Sequence, residues 1–290
     1  MKTIILALSL GSLLLVGCSS DTESPEVDNH DNLTISHSHG LAVDQANPKR
    51  LLVATHEGLI SWENGTISEV GEAKDDLMGF VPHPRESATF YSSGHPYAGG
   101  NLGFQKTTDG GQSWKVMSEG VGGPVDFHAM TVSEKNPYIV YGWYGGSLQR
   151  STDGGESWEI LNTNLNNVIT LSATTKNADT VYAGTTNGIL VSQDKGETWS
   201  TLSEGLSEGA VVVIAPDPTN PDSIISFSEK LGLAKSQDGG QSWTTTQTDF
   251  KGDFPMYMSY NLTDTNIVYL ITMRNILYKS TDGGNNWSAL

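Results

Sequence analysis

The sequence predicts an all-β protein, a six-bladed β-propeller whose blades are four-stranded antiparallel sheets. One octapeptide occurs five times, and its aspartates are 44, 41, 44 and 44 positions apart. A fixed period of this length indicates a repeat architecture. The segments between the copies are short apolar runs bounded by turn residues, and no convincing helical period follows residue 33. Because a single four-stranded sheet cannot bury both of its faces, six such units are expected to stand radially and cover one another.

The octapeptide defines five of the six units. The copies are TTDGGQSW from residue 107, STDGGESW from 151, SQDKGETW from 192, SQDGGQSW from 236 and STDGGNNW from 280. Their aspartates are Asp109, Asp153, Asp194, Asp238 and Asp282. A first unit, residues 39–70, keeps Trp62 and the rhythm of the strands but has Glu-Asn-Gly at its turn. The propeller is therefore predicted to span residues 34–290.

One unit illustrates the four strands. Segments 126–133, 138–143, 147–151 and 157–161 are separated by the turn sequences EKNP, YGG and DGG. Hairpin signals of this kind join consecutive antiparallel strands. The octapeptide is thus predicted to turn the chain from the third strand into the fourth.

The pattern Ser/Thr-x-Asp-x-Gly-x-x-Trp resembles the Asp-box, or BNR repeat, of sialidases and of sortilin-type Vps10 propellers. The likeness covers nearly all of the chain after residue 33, although the first unit lacks the box and Lys195 replaces a glycine. It implies a structural turn that is remote from any active site. The residue types agree, since an aspartate can accept N–H bonds in its own turn and glycine permits positive φ. The run lacks the ligand spacing of a calcium loop.

The N-terminus resembles that of a bacterial lipoprotein. Lys2 precedes an apolar run at residues 4–16, which is too short to span a bilayer, and LVGC at 15–18 resembles a lipobox. This resemblance implies a signal peptide at 1–17, lipidation of Cys18 and anchoring at the extracytoplasmic face of the cell membrane. Residues 18–33 are acidic and nearly free of apolar side chains, so they are predicted to form a flexible tether.

The charge of the chain argues against a nucleic-acid partner. There are 33 acidic and 16 Lys or Arg residues, which gives a net charge of −17, and no basic cluster occurs. Binding to nucleic acid depends on basic side chains that neutralise phosphates. We also expect a monomer without a nucleotide cofactor. Cys18 is the only cysteine, so neither a disulfide nor a cysteine-ligated metal site is expected.

Histidines collect at the blade edge opposite the octapeptides. In an antiparallel blade, the start of the first strand and the turn between the second and third strands share that edge. Five histidines fall at such positions in the first three blades: His37, His39, His56, His95 and His128. His83 falls in a turn of the other edge, and the last three blades contain no histidine.

This arrangement predicts one shared metal site. Imidazoles without thiolates suit copper or zinc, and we expect one such ion. Met78 lies near the same edge as a further ligand if the ion is copper. Asp126 has the strand spacing needed to orient the imidazole of His128.

Two other functions remain open. A glycoside hydrolase needs two suitably spaced carboxylates, and Glu57, Asp76 and Asp126 are the candidates at this edge. The arginine triad of a typical sialidase is missing, because only Arg274 of the four arginines is well placed. The third possibility is a platform that binds protein or glycan, for which Met78, Tyr97, Asn101 and Arg274 are the candidate contacts.

Overall fold

A computed structural model describes residues 33–206 and 208–290. The predicted signal peptide, the lipidation residue Cys18 and the tether up to residue 32 lie outside the described residues. The described part is all-β: it contains 24 strands in six four-stranded sheets and a single short 3-10 turn at Glu204–Leu206. The prediction of six four-stranded antiparallel blades is confirmed. Within these residues, no helix has the length and apolar character needed to cross a membrane.

Each sheet contains four consecutive strands, so the chain completes one blade before it starts the next. Blade 1 consists of β1 (Ser38–Val43), β2 (Arg50–Thr55), β3 (Gly58–Glu63) and β4 (Thr66–Val70). Blade 2 consists of β5 (Asp76–Pro82), β6 (Phe90–His95), β7 (Phe104–Thr107) and β8 (Lys115–Ser118). Blade 3 consists of β9 (Ala129–Val132), β10 (Val140–Tyr144), β11 (Ser147–Ser151) and β12 (Glu159–Leu161).

The last three blades repeat this order. Blade 4 consists of β13 (Val168–Ala173), β14 (Val181–Thr185), β15 (Gly188–Ser192) and β16 (Ser200–Thr201). Blade 5 consists of β17 (Val211–Pro216), β18 (Ile224–Ser228), β19 (Gly232–Ser236) and β20 (Thr244–Thr245). Blade 6 consists of β21 (Pro255–Tyr260), β22 (Val268–Thr272), β23 (Leu277–Ser280) and β24 (Ser288–Ala289). The first strand of every blade contributes to the wall of a central cavity of about 260 Å³.

The hydrophobic core lies between adjacent blades. Leu52 of blade 1, for example, packs in one buried cluster with Leu77 and Phe90 of blade 2. Leu41 of blade 1 packs in the same way with Ile271 of blade 6, which closes the ring. Burial of such side chains contributes about 1.5–3 kcal/mol each.

Blades 1 and 6 stay separate sheets where the ring closes. None of the described strands of one blade joins the sheet of the other. Two hydrogen bonds from the backbone of β1 supplement the packing: Ser38 N–H donates to Asn275 Oδ1 at 3.1 Å, and Val43 N–H donates to Ser259 Oγ at 3.0 Å.

The octapeptides form the turns between the third and fourth strands of blades 2–6. In blade 3, the Asp153 carboxylate accepts bonds from Ser151 Oγ at 2.8 Å, Ser157 N–H at 2.9 Å and Ser157 Oγ at 2.5 Å. The same pattern holds in the other four turns. These bonds lower the pKa of each of the five aspartates to about 2. Both carboxylate oxygens are therefore engaged within their own turn.

The second glycine of the octapeptide touches the core. Gly155 has a φ of 94°, and a Cβ added there would collide with the ring of Phe104 in the preceding blade. At the first glycine position the space is more open, and Lys195 occupies it in blade 4 with a φ of 61°. Blade 4 can therefore have lysine in place of glycine, because the packing does not require a glycine at this position.

Candidate metal centre

Strand register places the histidines opposite the octapeptide turns. In blade 2, Asp76 at the start of β5 pairs with His95 at the end of β6. The other end of the same sheet pairs Phe90 with Thr107, where the octapeptide begins. In blade 1, the pairing of Ser38 with Thr55 brings the start of β1 beside the turn that carries His56. The predicted edge is therefore the one on which these side chains lie.

The first cluster consists of His39, His56 and Asp76. Asp76 Oδ2 lies 2.6 Å from His56 Nδ1, and Asp76 Oδ1 lies 3.6 Å from His39 Nε2. The rings of His39 and His56 are 4.3 Å apart between centroids, and the ring of His37 lies 5.1 Å from that of His56. One nitrogen or oxygen of each cluster member lies within 4.8 Å of those of the others. These are distances across which one ion can be shared.

Two atoms of the first cluster are buried without a hydrogen-bond partner: His39 Nε2 and Asp76 Oδ1. Burying a polar atom without a partner costs about 1–3 kcal/mol. Burial also lowers the pKa of His39 to about 4, although Asp76 opposes the shift. His39 is therefore neutral at pH 7, which is the form of imidazole that binds metal.

The second cluster consists of His95, Asp126 and His128. Asp126 Oδ2 lies 2.6 Å from His128 Nε2 and 3.1 Å from His95 Nε2. The hydrogen bond from Asp126 raises the pKa of His128. Asp126 is only 6% exposed, and its Oδ1 is buried without a partner. Here too the ligand atoms of the three residues lie within 4.8 Å of one another.

The two clusters stand on the rim of the central cavity. His39 of the first cluster and His128 of the second both line it. The two clusters also influence each other electrostatically: His128 contributes to the lowered pKa of His39, and Asp76 contributes to the raised pKa of His128. The sequence placed all five histidines at this edge but expected them to share a single ion. The structure arranges four of them in two groups, because two carboxylates on neighbouring blades each lie beside two imidazoles, and the fifth, His37, lies beside His56.

The sequence signal for the carboxylates was incomplete. The sequence predicts Asp126 as the carboxylate that orients His128 and as a catalytic candidate, and in the structure it contacts the imidazoles of both His95 and His128. The sequence predicts Asp76 as a catalytic candidate alone, although it lies between the imidazoles of His39 and His56. Asp76 begins β5 as Ser38, next to His39, begins β1, and this position was the signal that could have found it.

The remaining candidates belong to neither cluster. Met78 is 7% exposed and does not line the cavity, whereas among the described residues Met130, Met256 and Met258 do. Glu57 is exposed beside His56. His83 is buried in its turn, where Nδ1 accepts the N–H groups of Arg85 and Glu86.

The three polar and aromatic platform candidates have different environments. Tyr97 is 92% exposed. Asn101 Nδ2 donates to Pro124 O and to Tyr144 OH, both at 2.9 Å, so this amide holds its loop against blade 3. Arg274 is exposed, and its backbone N–H donates to an Asp253 oxygen at 3.3 Å.

Comparison with known proteins supports the fold. No family model matches the chain, and no curated protein matches it. Among solved structures, it is similar to an ancestral GH74 enzyme (TM-score 0.59, 15% identity, 87% of this chain and 37% of that one). It is similar also to the GH74 xyloglucanase from Xanthomonas campestris (TM-score 0.58, 13% identity, 86% of this chain and 45% of that one). A third similar structure is YCF48 from Cyanidioschyzon merolae (TM-score 0.53, 13% identity, 88% of this chain and 84% of that one). The chain spans less than half the length of these GH74 chains, and identities this low show the fold alone.

Proposed function

We propose that the protein is a lipid-anchored, extracytoplasmic propeller whose first cluster binds a transition-metal ion, copper or zinc. The observation that carries this proposal is the pair of buried, unpartnered atoms, His39 Nε2 and Asp76 Oδ1, 3.6 Å apart. With the imidazole proton on Nδ1, His39 presents a lone pair at Nε2, and one cation then satisfies both that lone pair and the facing carboxylate oxygen. Imidazole nitrogens and carboxylate oxygens bind zinc at about 2.0–2.2 Å.

His37 supports a fourth protein ligand in this site. Its ring lies 5.1 Å from that of His56, and its φ of 45° turns the backbone just before β1. A non-glycine residue with positive φ is uncommon and is retained where the surrounding structure holds it. Three imidazoles and one carboxylate would give the four-coordinate set that zinc prefers in closed sites.

Metal binding is tested on the full-length chain without a His-tag. Dialysis against zinc or Cu(II), followed by elemental analysis, should show bound metal at pH 7. His39→Ala and Asp76→Asn should each remove the ion from the first cluster. His83→Ala is the matched control, because this histidine is also largely shielded from solvent but belongs to a turn at the opposite edge. Metal retained equally in His39→Ala and in His83→Ala would overturn the proposal.

The lipid anchor is tested separately. Cys18→Ala should release the protein from the membrane fraction or block its processing, since stable anchoring depends on acyl chains that contribute about 0.8 kcal/mol per buried CH₂. Cys18→Ala protein that fractionates with membranes as the wild type does would contradict the anchor.

A glycoside hydrolase is the second candidate function, and the likeness to GH74 enzymes favours it. Asp76 and Asp126 are its candidate carboxylates, although each is in contact with imidazoles. Release of reducing sugar from xyloglucan, abolished by Asp76→Asn or Asp126→Asn and unaffected by removal of metal, would favour this reading. Protein that neither binds metal nor hydrolyses glycan would leave a protein- or glycan-binding platform as the better account.

A further inference from the structure

We infer that the second cluster, His95, Asp126 and His128, is a separate metal site with open coordination positions, so that the propeller binds two ions. The inference builds on the proposed function, which concerns the first cluster alone. The sequence predicts one ion shared by all five histidines, whereas we infer one ion at each of the two carboxylates, Asp76 and Asp126.

The tautomer of His95 is the first argument. Its Nδ1 lies 2.8 Å from the carbonyl oxygen of Gly100, which can only accept a hydrogen bond, so the proton is on Nδ1. In the neutral ring, Nε2 then carries a lone pair. That nitrogen lies 3.1 Å from Asp126 Oδ2, another lone-pair donor. A cation at this point satisfies both atoms.

A metal-ligating histidine commonly has this arrangement. The nitrogen that does not bind the metal donates to a carbonyl or a carboxylate, and this bond fixes the tautomer and orients the ring. Gly100 supplies such a carbonyl to His95, from the loop between β6 and β7. Nε2 is left as the ligand atom, on the side where Asp126 and His128 lie.

The burial of Asp126 is the second argument. The residue is 6% exposed, and its Oδ1 has no partner although it is buried. A buried carboxylate is costly unless a cation or several hydrogen bonds compensate for its lost hydration. A metal ion would supply that compensation for either oxygen.

The number of ligands is the third argument, and it distinguishes the sites. His37 lies beside the first cluster as a further imidazole, whereas the second cluster has only His95, Asp126 and His128, and the side chains of its two histidines are 42% and 63% exposed. Two imidazoles and one carboxylate leave coordination positions unfilled, as in sites that accept an exogenous ligand. We therefore expect the second ion to exchange with solvent ligands more readily than the first.

The two sites can be separated by mutation because their carboxylates belong to different blades. Asp76 begins β5 of blade 2, whereas Asp126 precedes β9 of blade 3. The full-length chain is loaded with Cu(II) by dialysis, and copper is measured per chain. The wild type and His83→Ala should hold two equivalents. Asp76→Asn and Asp126→Asn should each hold one, and His95→Ala should behave as Asp126→Asn does.

A spectroscopic arm identifies the open site. Azide added to Asp76→Asn protein that retains one Cu(II) should produce an azide-to-copper charge-transfer band. Asp126→Asn protein with one Cu(II) should give a much weaker band. Thermal unfolding of each variant establishes that it is folded, and His95→Gln, which preserves size but lacks the ligand nitrogen, replaces His95→Ala if that variant unfolds.

The outcomes separate the two claims. Suppose that the wild type holds one equivalent of copper, which is lost in Asp76→Asn and retained in His95→Ala and Asp126→Asn. This result would overturn the second site and leave the proposed function standing. One equivalent that is retained in Asp76→Asn and lost in Asp126→Asn would support the second site and contradict the first. If the wild type holds one equivalent of copper that is lost in all three variants, the ion is a single shared one and the inference is overturned. Wild-type protein without bound copper would overturn it as well.

Discussion

Replacement of Asp153 by alanine tests whether the octapeptide is scaffold. Its carboxylate accepts three hydrogen bonds within the turn, from Ser151 Oγ, Ser157 N–H and Ser157 Oγ. Ser157 is exposed, so water replaces the carboxylate as its partner after the substitution. Ser151 is 1% exposed, and its hydroxyl is left without an acceptor in the core. An orphaned buried hydroxyl and the lost charge-assisted bonds together predict a loss of about 1–3 kcal/mol in the free energy of unfolding.

The assay compares urea unfolding of Asp153→Ala with that of Thr152→Ala, an exposed neighbour in the same turn. For a domain of this size, the melting temperature should fall by about 2–4 °C per kcal/mol. Thr152→Ala should change stability by less than about 0.5 kcal/mol. Metal affinity should remain at the wild-type value, because the turn lies at the opposite edge from both clusters. Asp153→Ala protein of unchanged stability, or with impaired metal binding, would refute the reasoning.

Three further predictions concern the scaffold. The octapeptide carboxylates have pKa values of about 2 in the folded protein, against 3.8 ordinarily, so they stabilise the fold fully above pH 4. Urea unfolding should show this stabilisation decline from pH 4 towards pH 2, and a stability that does not change over this range would contradict the prediction. Gly155→Ala should destabilise the protein by about 1–3 kcal/mol more than Gly154→Ala, because both share the backbone strain but only Gly155→Ala overpacks the core. Equal losses would contradict the contact with Phe104. Arg150 pairs with Glu159 and Glu197 at 2.7 and 2.8 Å and so joins blades 3 and 4. Arg150→Ala should lower the free energy of unfolding in urea by about 2 kcal/mol, with partial recovery in Arg150→Lys, and an alanine variant of unchanged stability would show that the pairs contribute nothing.

The fold could be predicted from the sequence because the octapeptide carries local information. Its spacing gave the length of a blade, and its turn residues gave the strand order, both of which the register confirms. The edge on which His56 and His95 lie followed from antiparallel geometry alone. The degenerate first unit also forms a complete blade, since Leu52 and its neighbours keep the apolar pattern that packs between sheets.

The arrangement of the site could not be predicted to the same degree. Which imidazoles share a carboxylate depends on distances between blades around the axis, and no sequence spacing reports them. Asp76 and His56 are 2.6 Å apart although they belong to different sheets. The tautomer of His95 depends on the path of a long loop that brings the carbonyl of Gly100 back to the ring. The resemblances to sialidases, sortilin-type propellers and lipoproteins, the expected monomer and the absence of a nucleotide cofactor stay predictions.

The most direct test of metal binding on the histidine face is a crystal structure of zinc-loaded protein with data collected above and below the zinc absorption edge. We predict an anomalous difference peak about 2.0–2.2 Å from His39 Nε2 and from an Asp76 oxygen. The five octapeptide turns should show no such peak, because their carboxylates are bonded within the turn. Crystals grown at saturating zinc that lack a peak at His39 and Asp76, or that place zinc only at the octapeptide turns, would contradict the account.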